Sequence, residues 1–324
     1  MQKDSRRFCI APMIDFTDRH FRYMARLACQ QATLFTEMIT TGAILNGSQD
    51  FLLGYSPNEH PLVLQLGGSS PDELAQCTEI GNQFGYDEIN LNVGCPSDKV
   101  QHHKIGACLM AEPGLVKECL QAMAEKSQVP VSIKHRIGLD NDDSYDTLAA
   151  FVDQVQGPHC QVFYVHARNA ILQGLSPKQN RQIPPLQYAK VYRLKQDFPK
   201  LQIIINGGID SLPSCQAHLH HVDGVMLGRA AYHNSALLLD VDQQIYATAA
   251  CVTRRHVVDG YLAYMTEQYA QGTAWHHMSK HLMGLFQGLS GARNMRRHLS
   301  ENIHGSKASL TVIEDALSLV DYNL

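Results

Sequence analysis

No run of like charges occurs in this chain, and charged residues make up only 18% of it. A formal net charge of -4 gives no general attraction to polyanions, so any contact with nucleic acid has to come from a local basic patch. No Cys-x-x-Cys pair is present, and the nine cysteines are odd in number and scattered. That counts against a zinc ribbon and a disulfide framework, and points to a reducing compartment. The opening residues MQKDSRRFCIAPM lack the apolar core of a signal peptide, and no stretch approaches membrane-span length. A soluble cytoplasmic protein with no membrane contact is expected. The Gly-rich turn of a dinucleotide-binding sheet is also missing, which weighs against a doubly wound open sheet.

What is present is an eightfold alternation. Short apolar runs rich in β-branched residues recur as FCIAPM (8–13), LFTEM (34–38), PLVLQLG (61–67), DEINLNV (87–93), PVSIKHR (130–136), QVFYVHA (161–167), LQIIING (201–207) and DGVMLGR (223–229). Amphipathic segments separate them. In SPDELAQCTEIGNQFG, Ser70 can cap the start, Asp72 and Glu73 complement the helix dipole, and Gly85 can end the helix. Eight such units predict an α/β fold, a parallel (β/α)8 TIM barrel. After about residue 240 the strand pattern stops and residues 243–303 read as successive helices. The division expected is a barrel over 1–240 and an all-helical C-terminal domain over 241–324. Gly284-x-x-x-Gly288 falls in the helical part, where flanking His and Lys residues favour close packing of soluble helices over a membrane dimer motif.

Polar residues fall at the carboxyl ends of the runs, where a barrel keeps its chemistry and not its apolar packing. Gln65 closes the third run, Asn90 and Asn92 the fourth, Lys134 and Arg136 the fifth, His166 and Arg168 the sixth. Singly, a Gln, an Asn or a His is more often a structural partner than a functional group. Lys134 is harder to set aside, because a lysine in a buried strand is costly unless it meets negative charge. Asn206-Gly207-Gly208 and Gly228-Arg229 follow the last two runs. Either glycine site alone reads as a turn; together they occupy the loops where barrels commonly hold a phosphate.

Cys95 lies in NVGCPS after the fourth run. Gly94 permits a sharp turn and Pro96 fixes the chain beyond it, which presents the thiol rigidly over the barrel mouth. Cys9, Cys29, Cys77, Cys119, Cys160, Cys215 and Cys251 are read instead as small buried hydrophobes. Metal ligation is disfavoured, since the His pairs at 102–103, 220–221 and 276–277 match no known ligand spacing. The motif alone leaves nucleophile and acid open.

The segments APMIDFTDRHFRYMARL, LQLGGSSPDEL, DEINLNVGCPSDKV, SIKHRIG, FYVHARNAILQGLSPKQNR, INGGI, VDGVMLGRAAYHN and GLFQGLSGARNMRRHLSEN span roughly residues 7–303. Together they resemble the tRNA-dihydrouridine synthases, A-type branch. The resemblance implies an FMN-containing barrel that reduces tRNA D-loop uridines around position 20 to 5,6-dihydrouridine with NADPH as electron donor. It implies Pro12, Met13 and Ile14 along the flavin, Gln65 at the polar edge of its ring, and Lys134 facing N1/O2. His166, Asn206, Gly207, Gly208, Gly228 and Arg229 would complete the cofactor site, mainly around its phosphate. Hydride would reach uracil C6 from flavin N5, and Cys95 would give a proton to C5.

The same resemblance makes the helical part a tRNA-binding element. From Trp275 to Lys307 there are five Lys or Arg against one Glu, and Arg293, Arg296 and Arg297 share a helical face. Lys178 and Arg181, with Lys190 nearby, form a second basic group. RNA contact is expected for Lys178, Arg181, Arg293 and Arg296, with Asn92 near the substrate base. Met295 departs from the tryptophan that many members carry. The chain is expected to be monomeric. Two alternatives remain at this point: an FMN barrel reductase of a small molecule, and an RNA-binding protein that has lost catalysis.

Overall fold

The protein is described from a computed structural model, which covers residues 3–97, 104–142, 144–249, 251–305 and 308–321. His102 and His103, with the rest of residues 98–103 of the cysteine motif, lie outside the described residues. Every run expected to be a strand contains one: β1 Phe8–Ile10, β2 Leu34–Thr40, β3 Leu62–Gly67, β4 Glu88–Val93, β5 Val131–Arg136, β6 Val162–His166, β7 Gln202–Asn206 and β8 Gly224–Leu227. They pair in parallel in the order β1-β8-β7-β6-β5-β4-β3-β2. A bridge from Cys9 to Thr33 joins the two edges, with the Ile10 N–H donating to Thr33 and the Thr33 N–H to Phe8. The parallel β/α barrel is therefore present.

Its helices on the outer ring are α1 Arg19–Ala28, α2 Thr41–Asn46, α3 Gln49–Leu53, α4 Pro71–Phe84, α5 Pro113–Lys126, α6 Tyr145–Val155, α7 Tyr188–Asp197, α8 Leu212–Leu219 and the short α9 Arg229–His233. α4 forms as its sequence suggests. The Ser70 hydroxyl accepts from the Glu73 N–H, Pro71 opens the helix, and Gly85 ends it at φ 76°. It buries Leu74, Cys77, Thr78 and Gly81, and a Cβ at Gly81 would meet Leu64 at 3.0 Å, so the helix lies close upon β3.

Side chains alternating along each strand give the barrel its interior. Cys9, Phe35, Val63, Val162, Tyr164, Ile204 and Met226 form a compact inner cluster. The interior is less apolar than the sequence reading assumed. Glu88, fully buried at the start of β4, is bound by Arg6 Nε at 2.6 Å, by Ser132 Oγ at 2.6 Å and by Tyr164 OH at 2.9 Å. A buried carboxylate is tolerated because three donors replace its water.

The chain continues through α10 Val241–Tyr246, α11 Arg254–Ala270, α12 Trp275–Ser279, α13 Ala292–Asn302 and α14 Leu310–Ser318. Asp242 on α10 accepts the Gln30 N–H at 2.7 Å and the Gln31 N–H at 3.1 Å, which ties the chain beyond residue 240 to the loop after α1. Tyr23 of α1 stacks on Tyr264 of α11 at 3.9 Å. Asp18 caps α1 through the His20 and Phe21 N–H groups and also accepts from Lys280 and His281. Burial opposes its charge, but the His281 hydrogen bond, the backbone donors and Lys280 hold its carboxyl well below the ordinary range. Burial also pushes His281 down, so near neutral pH its ring acts as a neutral N–H donor.

Three local expectations change. Gly284 does pack closely, since a Cβ would lie 2.1 Å from the Tyr232 carbonyl oxygen, but Gly288 is a left-handed turn at φ 84° facing open space. Six of the seven cysteines read as buried are buried; Cys251 is exposed, in the connection ahead of the Thr253 cap of α11. Met295 is fully enclosed in the core, so here the position serves packing.

Candidate active site

The carboxyl ends of the strands open into a cavity of about 640 Å³. Strand register builds its wall. Asn92 on β4 neighbours Lys134 on β5, Arg136 neighbours His166 on β6, and His166 neighbours Asn206 on β7. All of these line the cavity together with Gln65.

Cys95 stands half-buried on the same wall. Asn92 Oδ1 shapes its turn by accepting the N–H groups of Gly94 at 3.1 Å and Cys95 at 3.0 Å. The Cys95 carbonyl accepts the Ala107 N–H at 2.8 Å. Gly94 is needed for a reason other than the one read from sequence. Its φ is not left-handed, but a Cβ would come within 3.3 Å of the Lys134 carbonyl, so glycine lets the turn lie on β5. Arg136 fastens this contact: Nε donates to the Gly94 carbonyl at 3.1 Å, and Nη1 to the carbonyls of Asn180 at 3.1 Å and Asn169 at 3.3 Å.

Lys134 Nζ donates to Asn206 Oδ1 at 3.2 Å, and Asn206 Nδ2 donates to the Met226 carbonyl at 2.7 Å. Burial, and then Arg136, push the Lys134 amine down to about 7. Burial and the same cations keep the His166 ring neutral, far below its ordinary value.

One end of the cavity is built for an anion. Gly207 and Gly208 turn at φ 116° and 70°; a Cβ on the first would lie 2.6 Å from His166 Cδ2, and on the second 2.5 Å from Leu186 Cδ1. Tyr188 OH holds the Gly207 carbonyl at 2.7 Å. Gly228 and Arg229, after the neighbouring strand β8, line the same cavity, and Arg229 Nη2 donates to the Arg181 carbonyl at 3.4 Å. Arg181, expected at the RNA, thus lines this cavity. The Nε groups of Arg168 and Arg181 are buried without a hydrogen-bond partner among the described residues. Burial and then the neighbouring Arg229 lower both guanidinium pKa values. Among the described residues none of Arg136, Arg168, Arg181 and Arg229 is ion-paired with a carboxylate. Arg136, Arg181 and Arg229 on the cavity wall, none ion-paired among the described residues, and a side-chain-free turn fit a phosphate.

Pro12 and Met13 are half-buried on the loop after β1, and Ile14, 53% exposed, forms the lip. A second cavity of about 690 Å³ shares Ile14 and Met38 with the first and reaches Gly272–Ala274, between α11 and α12, and His277 of α12. Lys178 is exposed in the loop after β6, and Lys190 is half-buried on α7. On α13, whose buried face is Ala292, Met295 and Leu299, Arg293 is exposed and Arg296 half-buried at the edge of that face, and they line neither cavity. The reading from sequence gave Arg136 no role, although Ser132-Lys134-Arg136 alternate along one strand and so share one face.

The dihydrouridine synthase family model matches residues 9–320. The chain is 53% identical over 320 residues to the tRNA-dihydrouridine(20/20a) synthase of Shewanella oneidensis, covering 98% of this chain and 95% of that protein. It is 51% identical to the protein of that name from Vibrio cholerae, over 98% and 97% of the two chains. For the Escherichia coli K12 protein, also so named, the figures are 52%, 98% and 92%.

Proposed function

The chain belongs to the dihydrouridine synthase family, and we propose that its barrel-mouth cavity binds FMN, draws electrons from NADPH and reduces a tRNA uracil with Cys95 as the acid. The protein is an oxidoreductase, a tRNA-dihydrouridine synthase acting on D-loop uridines. The observation that carries the cofactor reading is the anion end, where the Gly207-Gly208 turn shares the cavity wall with Arg181, a guanidinium without an ion pair among the described residues. Those residues, with Gly228 and Arg229, would hold the FMN phosphate. Pro12, Met13 and Ile14 would lie along the ring, and Gln65 would meet its polar edge. Lys134, backed by Asn206 and beside His166, would face the edge where reduction builds negative charge.

When bound, FMN supplies hydride to uracil C6. The chain supplies the rest. Cys95 gives its proton to C5, so that the C5=C6 double bond takes up one hydride and one proton. Asn92 holds the Cys95 turn and, together with Arg136, keeps the thiol against the wall on which the base would lie. Purified protein should be yellow and release FMN, and no other flavin, on heating; NADPH should bleach it without air. A colourless protein, or one that releases FAD, contradicts the cofactor assignment.

Lys134 gives that binding a pH dependence. In the flavin-free protein burial pushes its amine down to about 7, and the negative charge that reduction places on the ring edge beside it favours the charged form. Binding of reduced FMN then takes up a proton. Affinity for reduced FMN should fall as pH rises above about 7, by up to about tenfold per unit, and Lys134→Met should flatten the profile. Anaerobic titration of reduced FMN into the flavin-stripped protein reads both.

Residues 241–324 would supply the second RNA surface, with Arg293, Arg296 and the exposed Lys178 on phosphates. The second cavity supports a role for this part of the chain, because the α11–α12 connection walls it beside Ile14 and Met38 of the first. Replacing Arg293 and Arg296 by Ala should weaken tRNA binding. The slope of log affinity against log salt should become shallower by about 0.7–0.9 for each phosphate left without its arginine. An unchanged slope would remove them from the interface.

A further inference from the structure

Beneath the cavity a single line of hydrogen bonds runs the length of β4. The Cys95 and Gly94 N–H groups donate to Asn92 Oδ1 at 3.0 and 3.1 Å. Asn92 Nδ2 donates to Gln65 Oε1 at 2.8 Å, Gln65 Nε2 to Asn90 Oδ1 at 2.8 Å, and Asn90 Nδ2 to Ser132 Oγ at 2.8 Å. Ser132 Oγ then donates to Glu88 Oε1 at 2.6 Å, and Glu88 is held by Arg6 through Oε2. Each bond points the same way, from the cysteine turn towards the floor of the barrel.

The direction is forced by the ends. A backbone N–H can only donate, and an ionised carboxylate paired with an arginine can only accept. Between them each side-chain amide has one orientation that satisfies both neighbours; turning any one of them over sets oxygen against oxygen. Aligned bonds in a dry interior also strengthen one another. Glu88, Asn90 and Ser132 are fully buried and none lines the cavity, whereas Gln65, Asn92 and Cys95 do.

We propose that Glu88, Asn90 and Ser132 are positioning residues for the reduction, fixing from below the amide orientation of Gln65 and the stance of the Cys95 turn. The proposal rests on the reading of Cys95 as the acid and of Gln65 at the flavin edge. Ser132 is the link to test, since Ser132→Ala removes both the acceptor for Asn90 and a donor to Glu88 while leaving the barrel volume almost unchanged. Asn90 and then Gln65 can then turn over.

Two readouts on the holoenzyme decide it. One is the alkylation rate of Cys95, followed by mass spectrometry of its peptide so that exposed Cys251 does not interfere. The other is the single-turnover rate of dihydrouridine formation by NADPH-reduced enzyme on unmodified tRNA. Ser132→Ala should change Cys95 alkylation severalfold and slow the turnover by about tenfold or more, and Ser132→Thr, which keeps the hydroxyl, should restore both. Alkylation and turnover equal to the parent in Ser132→Ala would overturn the proposal. So would a lowered melting temperature with both losses unrelieved in Ser132→Thr, which marks a structural role only. If the parent itself made no dihydrouridine, the functional reading would fail, and the alkylation comparison would still decide whether the line of amides sets the thiol.

Discussion

Cys95→Ala enzyme should keep its yellow flavin and still oxidise NADPH, but form dihydrouridine about 10²–10⁴-fold more slowly, the usual range for a positioned general acid. The turn that carries the thiol does not depend on it. Asn92 and Ala107 hold the backbone at residue 95, and Arg136 holds residue 94, so the substitution leaves the wall standing. What disappears is one proton donor at one place. Hydride arriving at C6 leaves electron density at C5 and the neighbouring carbonyl, and without a donor there the reaction waits on solvent. Mass spectrometry of nucleosides from treated tRNA measures the product, and absorbance measures NADPH. Dihydrouridine at the parent rate would mean that another group protonates C5.

A Gly207→Ala chain should be colourless or nearly so. At φ 116° any L side chain is strained by about 1–3 kcal/mol. The added Cβ would also lie 2.6 Å from His166 Cδ2, too close for either group to stay in place. His166 lines the same cavity, so either its ring or the loop must shift and both disturb the site; where the loop moves, the N–H groups of residues 207 and 208 move with it. Flavin content per chain after purification, together with the thermal midpoint, tests this. Full flavin occupancy with an unshifted midpoint would show that the turn neither needs glycine nor holds the phosphate.

The barrel is legible because two periods coexist in the chain, alternation along eight β-rich runs and helical spacing between them. The rim follows from the same logic, since Gln65, Asn92, Lys134, His166 and Asn206 sit where a barrel strand meets its loop. The floor is not legible. Glu88, Asn90 and Asn92 alternate in DEINLNV and must share a face, but a glutamate at a strand's start looks like a solvated charge until Arg6, some eighty residues earlier, is brought beside it. The place of Arg181 on the cavity wall is illegible for a related reason. A loop arginine carries no mark of direction, and only the fold turns it into the cavity beside Arg229. The role of Gly94 is likewise invisible, because close approach between strands leaves no local pattern. Recognition of tRNA is the least local of all. The residues expected to carry it are spread over the loop after β6 and α13, and no periodicity links them.

The central claim is that this cavity reduces the uracil ring of a tRNA nucleoside. The most direct test is to incubate the purified flavoprotein with NADPH and tRNA that lacks dihydrouridine, digest the RNA and weigh its nucleosides. The account predicts dihydrouridine, heavier than uridine by two hydrogens and confined to D-loop fragments. NADPH consumption with every uridine unchanged would contradict it.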